Sequence, residues 1–344
     1  MAGGAGTRFW PASRRTRPKQ LLSLVTEKSL LFETLTRIAP SRVPYDRALI
    51  VTGGHLEEPI REALGPLGAR IVVEPMARNT APCIALAAAV VAEEQPDGIM
   101  AVLPADQHIA DLETFRSVFD QAAQLAATGR IVTVGIRPSH PETGYGYIRR
   151  GDALSEGVWN VDAFVEKPDL DTARGYLSHG GYDWNAGMFF MRADVLLAAV
   201  DAHMPKLAAG IAAYRKAYGT PEEDDALRQC FEQAEPISID YGVMEHEAQN
   251  IAVIPADFGW SDVGSWRTLL DFRTGDNFVR GDVDLRDVHD SVVVSDGPHV
   301  AVIGVSGLAV VATDDAVLVT PLDRAQEVGA IAKELKANGR VELT

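Results

Sequence analysis

Glycines and basic side chains are concentrated in residues 3 to 20, GGAGTRFWPASRRTRPKQ, which hold four arginines, one lysine and no acidic residue. Glycines let backbone N–H groups approach a polyanion closely, and a helix that begins just after them adds its positive end. Arg8 and Lys19 could then neutralise phosphate oxygens, and the other three arginines could either assist or form surface salt bridges. The segment has neither the Walker A order nor the dinucleotide-binding order of residues. It predicts a phosphate-binding loop, although a glycine turn before a solvated basic helix face would leave the same pattern.

Two aspartates follow apolar runs and are candidates for holding a metal ion. Asp106 ends the segment LPAD, and Asp262 lies in WSDVG after the run IAVIPADFGW. One or two carboxylates together with substrate phosphates are the usual ligands of Mg²⁺. An aspartate at the end of a strand also commonly caps a helix or forms a turn, and the two residues alone leave both interpretations open.

The basic segment belongs to an acidic chain of 344 residues, with 48 acidic and 32 basic side chains and a net charge of −16. This field repels nucleic acid and anionic membrane surfaces, so we expect neither as a partner. The sequence offers no signal-peptide pattern and no long apolar span, and Cys83 and Cys230 cannot form a disulfide framework. We therefore expect a cytoplasmic protein whose local positive charge binds a small polyanion.

Strand and helix patterns alternate in the elements that must position these residues. The predicted order is a helix over 29–40 that ends at Pro40, strands over 47–54 and 69–75, a helix over 79–96 with Thr80 as N-cap, and a strand over 98–106. Such alternation predicts an α/β fold with a Rossmann-like, mostly parallel sheet. Ligands of these sheets bind at the loops that follow the strands.

The sequence pattern changes near residue 283, where short runs rich in β-branched residues begin to recur at intervals of about eight to ten residues. A last amphipathic stretch over 327–339 predicts a helix that ends near Gly339. We therefore expect two domains, a large one over residues 1–275 and a small β module over 283–344.

The basic segment resembles the signature G-G-x-G-x-R-x-x-P-x-S-x-x-x-x-P-K of the sugar-phosphate nucleotidyltransferases, and its FWP and PKQ resemble the mannose-1-phosphate guanylyltransferases among them. Seven further segments resemble that family in the same order: EPMARNTAP (74–82), LPADQHI (103–109), PETGYGYI (141–148), FVEKPD (164–169), WNAGMF (184–189), SIDYGVME (238–245) and FGWSDVGSW (258–266). The resemblance covers almost the whole chain.

The resemblance implies transfer of GMP from GTP to mannose 1-phosphate, which gives GDP-mannose and pyrophosphate. It also implies a glycosyltransferase-A-like catalytic domain, a C-terminal left-handed β-helix and a homodimer. Two alternatives remain open at this point. One is the same chemistry with another nucleotide or hexose 1-phosphate, and the other is a noncatalytic regulatory subunit that binds sugar nucleotides.

The resemblance further implies a role for each motif residue. The implied catalytic cations are Arg8, Lys19 and Lys167. The implied nucleotide-binding residues are Gly3, Gly4, Gly6, Asn79, Thr80 and Asp106. The implied sugar-phosphate-binding residues are Gly146, Glu166, Lys167, Asn185 and Asp240, and the implied Mg²⁺ ligands are Asp106 and Asp262. A sugar phosphate is already ionised at neutral pH, so positioning and charge neutralisation would carry the reaction without a general base.

The start of the chain departs from the family pattern. A buried strand of the kind K-x-x-I-L-A-G-G normally leads into the glycines, whereas Met1 directly precedes AGG here. This departure predicts a misannotated or renumbered start, since loss of that strand would expose its neighbours in the sheet and affect the placement of Gly3. A missing central strand would cost many times the usual folding stability of about 5 to 15 kcal/mol.

Overall fold

A computed structural model describes residues 1–4, 6–39 and 41–344. Pro40, the predicted end of the first helix, lies outside the described residues. The α-helices in the described part of the chain are α1 (Leu30–Ile38), α2 (Glu57–Leu64), α3 (Thr80–Glu94), α4 (Leu112–Ala126), α5 (Leu170–His179), α6 (Ala193–His203), α7 (Pro205–Ala217), α8 (Glu223–Gln233) and α9 (Val328–Ala337). Within this part, no helix is both long enough and apolar enough to cross a membrane.

The strands are β1 (Leu49–Gly53), β2 (Arg70–Glu74), β3 (Ile99–Val102), β4 (His108–Ile109), β5 (Ile131–Ile136), β6 (Tyr147–Ser155), β7 (Val158–Val165), β8 (Tyr182–Arg192), β9 (Ile251–Ala256), β10 (Trp260–Ser261), β11 (Phe278–Arg280), β12 (Val283–His289), β13 (Val292–Ser295), β14 (Val300–Ser306), β15 (Leu308–Ala312) and β16 (Val317–Pro321). The early elements match the predicted order. One cap differs, because the side chain of Asn79 accepts a hydrogen bond from the N–H of Thr80, so Asn79 and not Thr80 is the N-cap of α3.

The central sheet has six strands in the order β3-β8-β5-β9-β7-β6, and β1 and β2 form a separate parallel pair. The predicted α/β class is confirmed. The pairings are mixed rather than mostly parallel, because β8 lies between β3 and β5 and runs antiparallel to both. In this sheet β5 and β9 are parallel, whereas β6 and β7 form an antiparallel hairpin. A continuous apolar run indicates that a strand is buried on both faces of a sheet, but it does not indicate whether the strand is parallel or antiparallel to its neighbours.

Apolar side chains cover both faces of this sheet. Along β5, Ile131 packs into the cluster that contains α3, and the next residue, Val132, packs into the cluster that contains α4. Alternating side chains of β5 therefore pack into two apolar cores on opposite faces of the sheet. This packing fixes the positions of the strand ends, which carry the polar residues.

Strands β1 and β3 belong to different sheets, and Met1 and Ala2 lie between them. The N–H of Ala2 donates to the carbonyl of Val51 at 3.0 Å, and the N–H of Ala105 donates to the carbonyl of Met1 at 3.1 Å. These contacts join the middle of β1 to the segment that follows β3. Alongside the rest of both strands lies a cavity of about 340 Å³ lined mainly by apolar side chains.

The C-terminal module is a stack of short strands. Strands β11, β13 and β15 pair in parallel, β12 pairs in parallel with β14, and β16 returns antiparallel to β15. Its apolar core includes Phe9, Trp10 and Trp266 from the large domain. The indole N–H of Trp10 also donates to the carbonyl of Leu343 at 2.8 Å. The module therefore packs directly against the glycine-rich loop.

Candidate active site

The glycine-rich loop turns at Gly6, where φ is +57°, and then enters a short 3₁₀ helix over Thr7–Phe9. A Cβ atom at Gly6 would lie 2.4 Å from the Cβ of Lys19, far inside van der Waals contact. Glycine is therefore required here both for the left-handed backbone and for the close approach of Lys19.

Lys19 is the buried cation of the site, with only 8% of its surface exposed. Its Nζ donates to Oδ2 of Asp106 at 2.9 Å and also to the backbone carbonyl of Asp262. Arg8 lies beside them and points a guanidinium nitrogen at the carbonyl of Gly264, 3.5 Å away. These side chains open into a cleft of about 410 Å³ lined by Gly6, Thr7, Arg8, Phe9, Lys19, Asp106, Gln107, Asp262 and Gly264. Five residues predicted from the sequence thus share one cleft.

Asp262 is held in this cleft by groups with opposing effects. Burial raises its pKa, while the hydroxyl of Tyr145, which donates to Oδ1 at 2.6 Å, and the charge of Lys19 lower it. The charge of Asp106 raises the pKa further. Two carboxylates that repel each other in a partly dehydrated cleft are a donor set that a divalent cation would stabilise.

The described residues contain no group of three or more His, Cys, Asp and Glu side chains that could hold a metal ion by themselves. Two carboxylates with substrate phosphates as the other ligands suit Mg²⁺, which keeps several non-protein ligands. Asp106 and Asp262 therefore fit the role that the family resemblance implies.

A second polar cluster gathers the residues expected to bind the sugar phosphate. Lys167 Nζ lies 2.7 Å from Oε1 of Glu166, and the side-chain amide of Asn185 donates to Oδ1 of Asp240 at 2.9 Å. A Cβ atom at Gly146 would lie 2.5 Å from Oε2 of Glu166, so any larger residue here would displace that carboxylate from its present position. Burial, followed by the charge of Glu166, raises the pKa of Asp240 to about 6.

Tyr145 connects the two clusters. Its hydroxyl donates to Asp262, and its backbone carbonyl accepts a hydrogen bond from the N–H of Lys167 at 3.2 Å. The next residue, Gly146, accepts from the N–H of Asn185 at 2.8 Å. Lys167 does not line the 410 Å³ cleft, but this short segment joins it to that cleft. Sequence reasoning missed Tyr145, although it lies inside the motif PETGYGYI.

Gly3 and Gly4 lie in a neighbouring cleft of about 540 Å³, which we call the nucleotide cleft. Its walls come from the glycine-rich loop, the ends of β1 and β2, and α9. The residues that line it are Gly3, Gly4, Thr7, Trp10, Ser13, Arg14, Arg15, Gly53, Gly54, His55, Leu56, Glu74, Pro75, Met76, Ala77, Ala332, Lys333, Lys336, Val341 and Thr344.

Asn79 and Thr80 are not among the residues that line the nucleotide cleft. Asn79 caps α3, and the hydroxyl of Thr80 accepts a hydrogen bond from the N–H of Ile239 at 2.8 Å. Both side chains therefore fix the start of α3 and the segment that carries Asp240. Arg14 also has a structural partner, because its guanidinium lies 2.7 Å from Asp315 of the C-terminal module.

Comparison with known families finds two matching family models along this chain. The family model described as nucleotidyl transferase matches residues 1–277, and the model described as MannoseP isomerase/GMP-like beta-helix domain matches residues 282–335. The fold and the site therefore define a nucleotidyl transferase with a C-terminal β-helix.

Comparison with individual relatives shows to which family of nucleotidyl transferases the chain belongs. The mannose-1-phosphate guanylyltransferase of Sinorhizobium fredii is 40% identical over 348 residues, which cover 98% of this chain and 67% of that protein. The protein of the same name from Escherichia coli K12 is 39% identical, with 99% of this chain and 74% of that protein covered. A crystal structure described as mannose-1-phosphate geranyltransferase from Thermus thermophilus is 36% identical, has a TM-score of 0.88 and matches over 98% of both chains. The chain belongs to the mannose-1-phosphate guanylyltransferase family.

Proposed function

We propose that this chain transfers GMP from GTP to mannose 1-phosphate and so forms GDP-mannose and pyrophosphate. The observation that carries the proposal is that Arg8, Lys19, Asp106 and Asp262 line one cleft. Tyr145 joins this cleft to the second polar cluster, which contains Lys167 and Asp240. Relatives of the same family carry the name of this activity.

The reaction brings two polyanions together, and their repulsion is the main barrier to approach. Two like unit charges about 4 Å apart repel by roughly 4 kcal/mol at an effective dielectric constant of 20. Arg8 and Lys19 offset this repulsion beside the triphosphate, where Gly3, Gly4 and Gly6 leave backbone N–H groups accessible. Lys167 does the same for the phosphate of the sugar phosphate, whose ionised oxygen attacks the α-phosphorus.

Asp106 and Asp262 would hold Mg²⁺ together with substrate phosphates. The bound ion would polarise the α-phosphoryl group and neutralise charge on the departing pyrophosphate. The protein prepares these ligands beforehand, because Lys19 holds the carboxylate of Asp106 and the Tyr145 hydroxyl holds that of Asp262. Asp106 thereby belongs to both the nucleotide-binding and the metal-binding set.

Gly146, Glu166, Asn185 and Asp240 would bind the hexose. Gly146 leaves room for the ring, and the carboxylates of Glu166 and Asp240 accept hydrogen bonds from sugar hydroxyls. The hydrogen bond from Asn185 keeps Asp240 in place. Asn79 and Thr80 support the nucleotide site from the start of α3, where their own hydrogen bonds order the backbone.

We further propose that residues 1–275 form the catalytic domain, that residues 283–344 form the β-helix module, and that the chain works as a cytoplasmic homodimer. Sedimentation equilibrium of the purified chain tests the last point, because a dimer has twice the mass of 37.1 kDa.

Pyrophosphate release tests the proposed activity. The purified protein with Mg²⁺ is offered GTP, UTP, dTTP or ATP in combination with several hexose 1-phosphates. Release is expected with GTP and mannose 1-phosphate, and Asp262→Asn is expected to lose turnover far more than nucleotide binding. If pyrophosphate is released only with another pair, the substrates are that pair and not GTP and mannose 1-phosphate. If well-folded protein releases no pyrophosphate with any pair, a noncatalytic sugar-nucleotide-binding subunit is favoured.

A further inference from the structure

Gln107 lines the 410 Å³ cleft beside Asp106, and the proposed mechanism gives it no role. Only 7% of its surface is exposed. Its side-chain amide donates to the carbonyl of Ala186 at 2.8 Å, and its side-chain oxygen accepts a hydrogen bond from the indole N–H of Trp260 at 3.0 Å. Both ends of the amide group therefore bond to the protein itself. Buried polar groups that are satisfied in this way hold their surroundings in a fixed arrangement.

The segment that carries Gln107 forms a two-stranded ribbon with the segment that carries Asp262. Strands β4 and β10, of two residues each, pair antiparallel with Ser261 opposite His108. Continued by one position, this register places Asp262 opposite Gln107. Asp106 and Asp262 therefore follow different strands at the same end of the ribbon. A two-stranded ribbon is at best marginally stable by itself, so the separation of the two carboxylates depends on what holds this end.

Gln107 ties this end of the ribbon to two other elements. Its side chain reaches β8 at Ala186, the residue that follows Asn185 of the second polar cluster. Its backbone carbonyl accepts a hydrogen bond from the guanidinium of Arg37 at 2.9 Å. Arg37 is a buried residue near the end of α1. One residue thus connects the metal-ligand ribbon to α1 and to the strand that carries part of the second polar cluster.

A second route leads from Gln107 to Asp262 through two aromatic rings. The indole of Trp260, which bonds to Gln107, packs edge to face against the ring of Tyr145, with the ring centroids 5.3 Å apart. The hydroxyl of Tyr145 donates to Oδ1 of Asp262 at 2.6 Å. Loss of the Gln107 amide would therefore release the indole that supports this tyrosine, and would leave a buried carbonyl and an indole N–H without their partner.

We propose that Gln107 is a positioning residue that fixes the separation of the Asp106 and Asp262 carboxylates, so that they present a prepared pair of ligands to a divalent cation. This role rests on the proposed function and adds the residue that holds its metal ligands in place. Groups that orient metal ligands from behind typically change metal affinity or activity by about ten- to a hundredfold when they are removed. Gln107 therefore acts on the metal through its neighbours and not by contact with the substrate.

The test replaces Gln107 by Met, which keeps the length of the side chain, cannot donate a hydrogen bond and accepts one only weakly. Mn²⁺ alone is the probe, and its binding to the protein is measured without nucleotide by the relaxation of water protons. The wild-type protein is expected to bind Mn²⁺ at a site that Asp262→Asn removes. Gln107→Met is expected to weaken this binding about ten- to a hundredfold.

Ser291→Ala is the matched control, because it also removes one donated and one accepted hydrogen bond from a buried side chain. Ser291 lies in the C-terminal module, donates to the carbonyl of His289 at 2.8 Å and accepts from the N–H of Leu308 at 3.2 Å. It does not line the 410 Å³ cleft, so its Mn²⁺ affinity should equal that of wild type. Thermal unfolding establishes that each variant is folded.

If Gln107→Met does not fold, Trp260→Phe removes the indole donor from a half-buried residue and keeps an aromatic ring in place. It should weaken Mn²⁺ binding at least about threefold, the effect of one lost hydrogen bond. Wild-type Mn²⁺ affinity in the folded variant, or no wild-type Mn²⁺ site that depends on Asp262, would overturn the assignment.

Pyrophosphate release at varied Mg²⁺ gives a second readout. In Gln107→Met, kcat/KM for GTP should fall about ten- to a hundredfold at limiting Mg²⁺ and return to within about threefold of wild type at saturating Mg²⁺, because the ligands are displaced but still present. A loss of equal size at every Mg²⁺ concentration would overturn the positioning role. If the wild-type protein releases no pyrophosphate with any substrate pair, the proposed function fails, while the Mn²⁺ titration still tests Gln107.

Discussion

The buried carboxylate of Asp240 lowers the stability of the folded protein when it is charged, and it has a proposed role in sugar binding. Replacing Asp240 by Asn should separate the effect on stability from the effect on sugar binding. Its pKa is raised from 3.8 to about 6, first by burial and then by the charge of Glu166. A folded-state pKa above the unfolded value means that the folded protein binds the proton more tightly. The stability that this proton adds is fully present below the unfolded pKa and is lost as the pH rises through the folded one. Above that range the charged carboxylate destabilises the fold.

The size of the effect follows from the two pKa values. The difference corresponds to about 3 kcal/mol, which we reduce to about 2 kcal/mol because the side chain is partly exposed. Asn cannot ionise and can still accept the hydrogen bond from Asn185. Asp240→Asn should therefore be about 2 kcal/mol more stable than wild type at pH 8 and about 1 kcal/mol more stable at pH 5. It should lower kcat/KM for mannose 1-phosphate about ten- to a hundredfold, because the sugar loses a charged acceptor.

Urea unfolding at the two pH values measures the stability, and pyrophosphate release at varied mannose 1-phosphate measures the binding. Asp201→Asn, an exposed aspartate of α6, is the matched control and should stay within about 0.5 kcal/mol of wild type at both pH values. An Asp240→Asn protein that is less stable at pH 8, or whose advantage does not shrink at pH 5, would refute the electrostatic reasoning.

Three further outcomes are expected. Gly6→Ala should lower turnover at least about a hundredfold and stability by about 1 to 2 kcal/mol, because its Cβ forces Lys19 out of place and strains the backbone; normal kinetics would contradict this. In a plot of kcat/KM against pH, Tyr145→Phe should shift the acidic limb to higher pH, because the hydrogen bond that lowers the pKa of Asp262 is lost. An acidic limb at the wild-type pH would show that Tyr145 does not act on Asp262. Chelation of divalent ions should abolish pyrophosphate release yet move the melting temperature by less than about 2 °C, because Asp106 has an ion-pair partner within the chain, Lys19; a large drop would show that the fold needs the ion.

Most of the predicted residues in the 410 Å³ cleft could be found because they carry local signals. Glycines beside cations indicate a phosphate loop, and aspartates that follow apolar runs indicate ligands at strand ends. Gly6 and Lys19 are 13 positions apart, and the close approach of Lys19 explains why residue 6 must be glycine. Single segments therefore make the loop and the two aspartates candidates, and the family resemblance selects between the interpretations that those segments leave open.

Other features depend on contacts between distant segments and leave no local signal. Tyr145 and Asp262 are 117 positions apart, and nothing in the residues around either one predicts their hydrogen bond. The antiparallel insertion of β8 was also not predictable, because a strand buried on both faces has the same composition in either direction.

The C-terminal module explains how a loop rich in glycine can hold cations accurately. Glycine has the largest backbone freedom to lose on folding, so the loop requires restraint from outside itself. Trp266 of the large domain donates its indole N–H to the carbonyl of Trp10 at 3.0 Å. The module supplies its own restraint at Leu343, whose carbonyl accepts a hydrogen bond from the Trp10 indole. At Gly329, α9 lies so close to Thr7 that a Cβ atom would be 3.1 Å from its hydroxyl. Because these contacts surround the loop that carries Arg8, the module acts on the chemistry by fixing the loop, even though most of its strands lie outside the cleft.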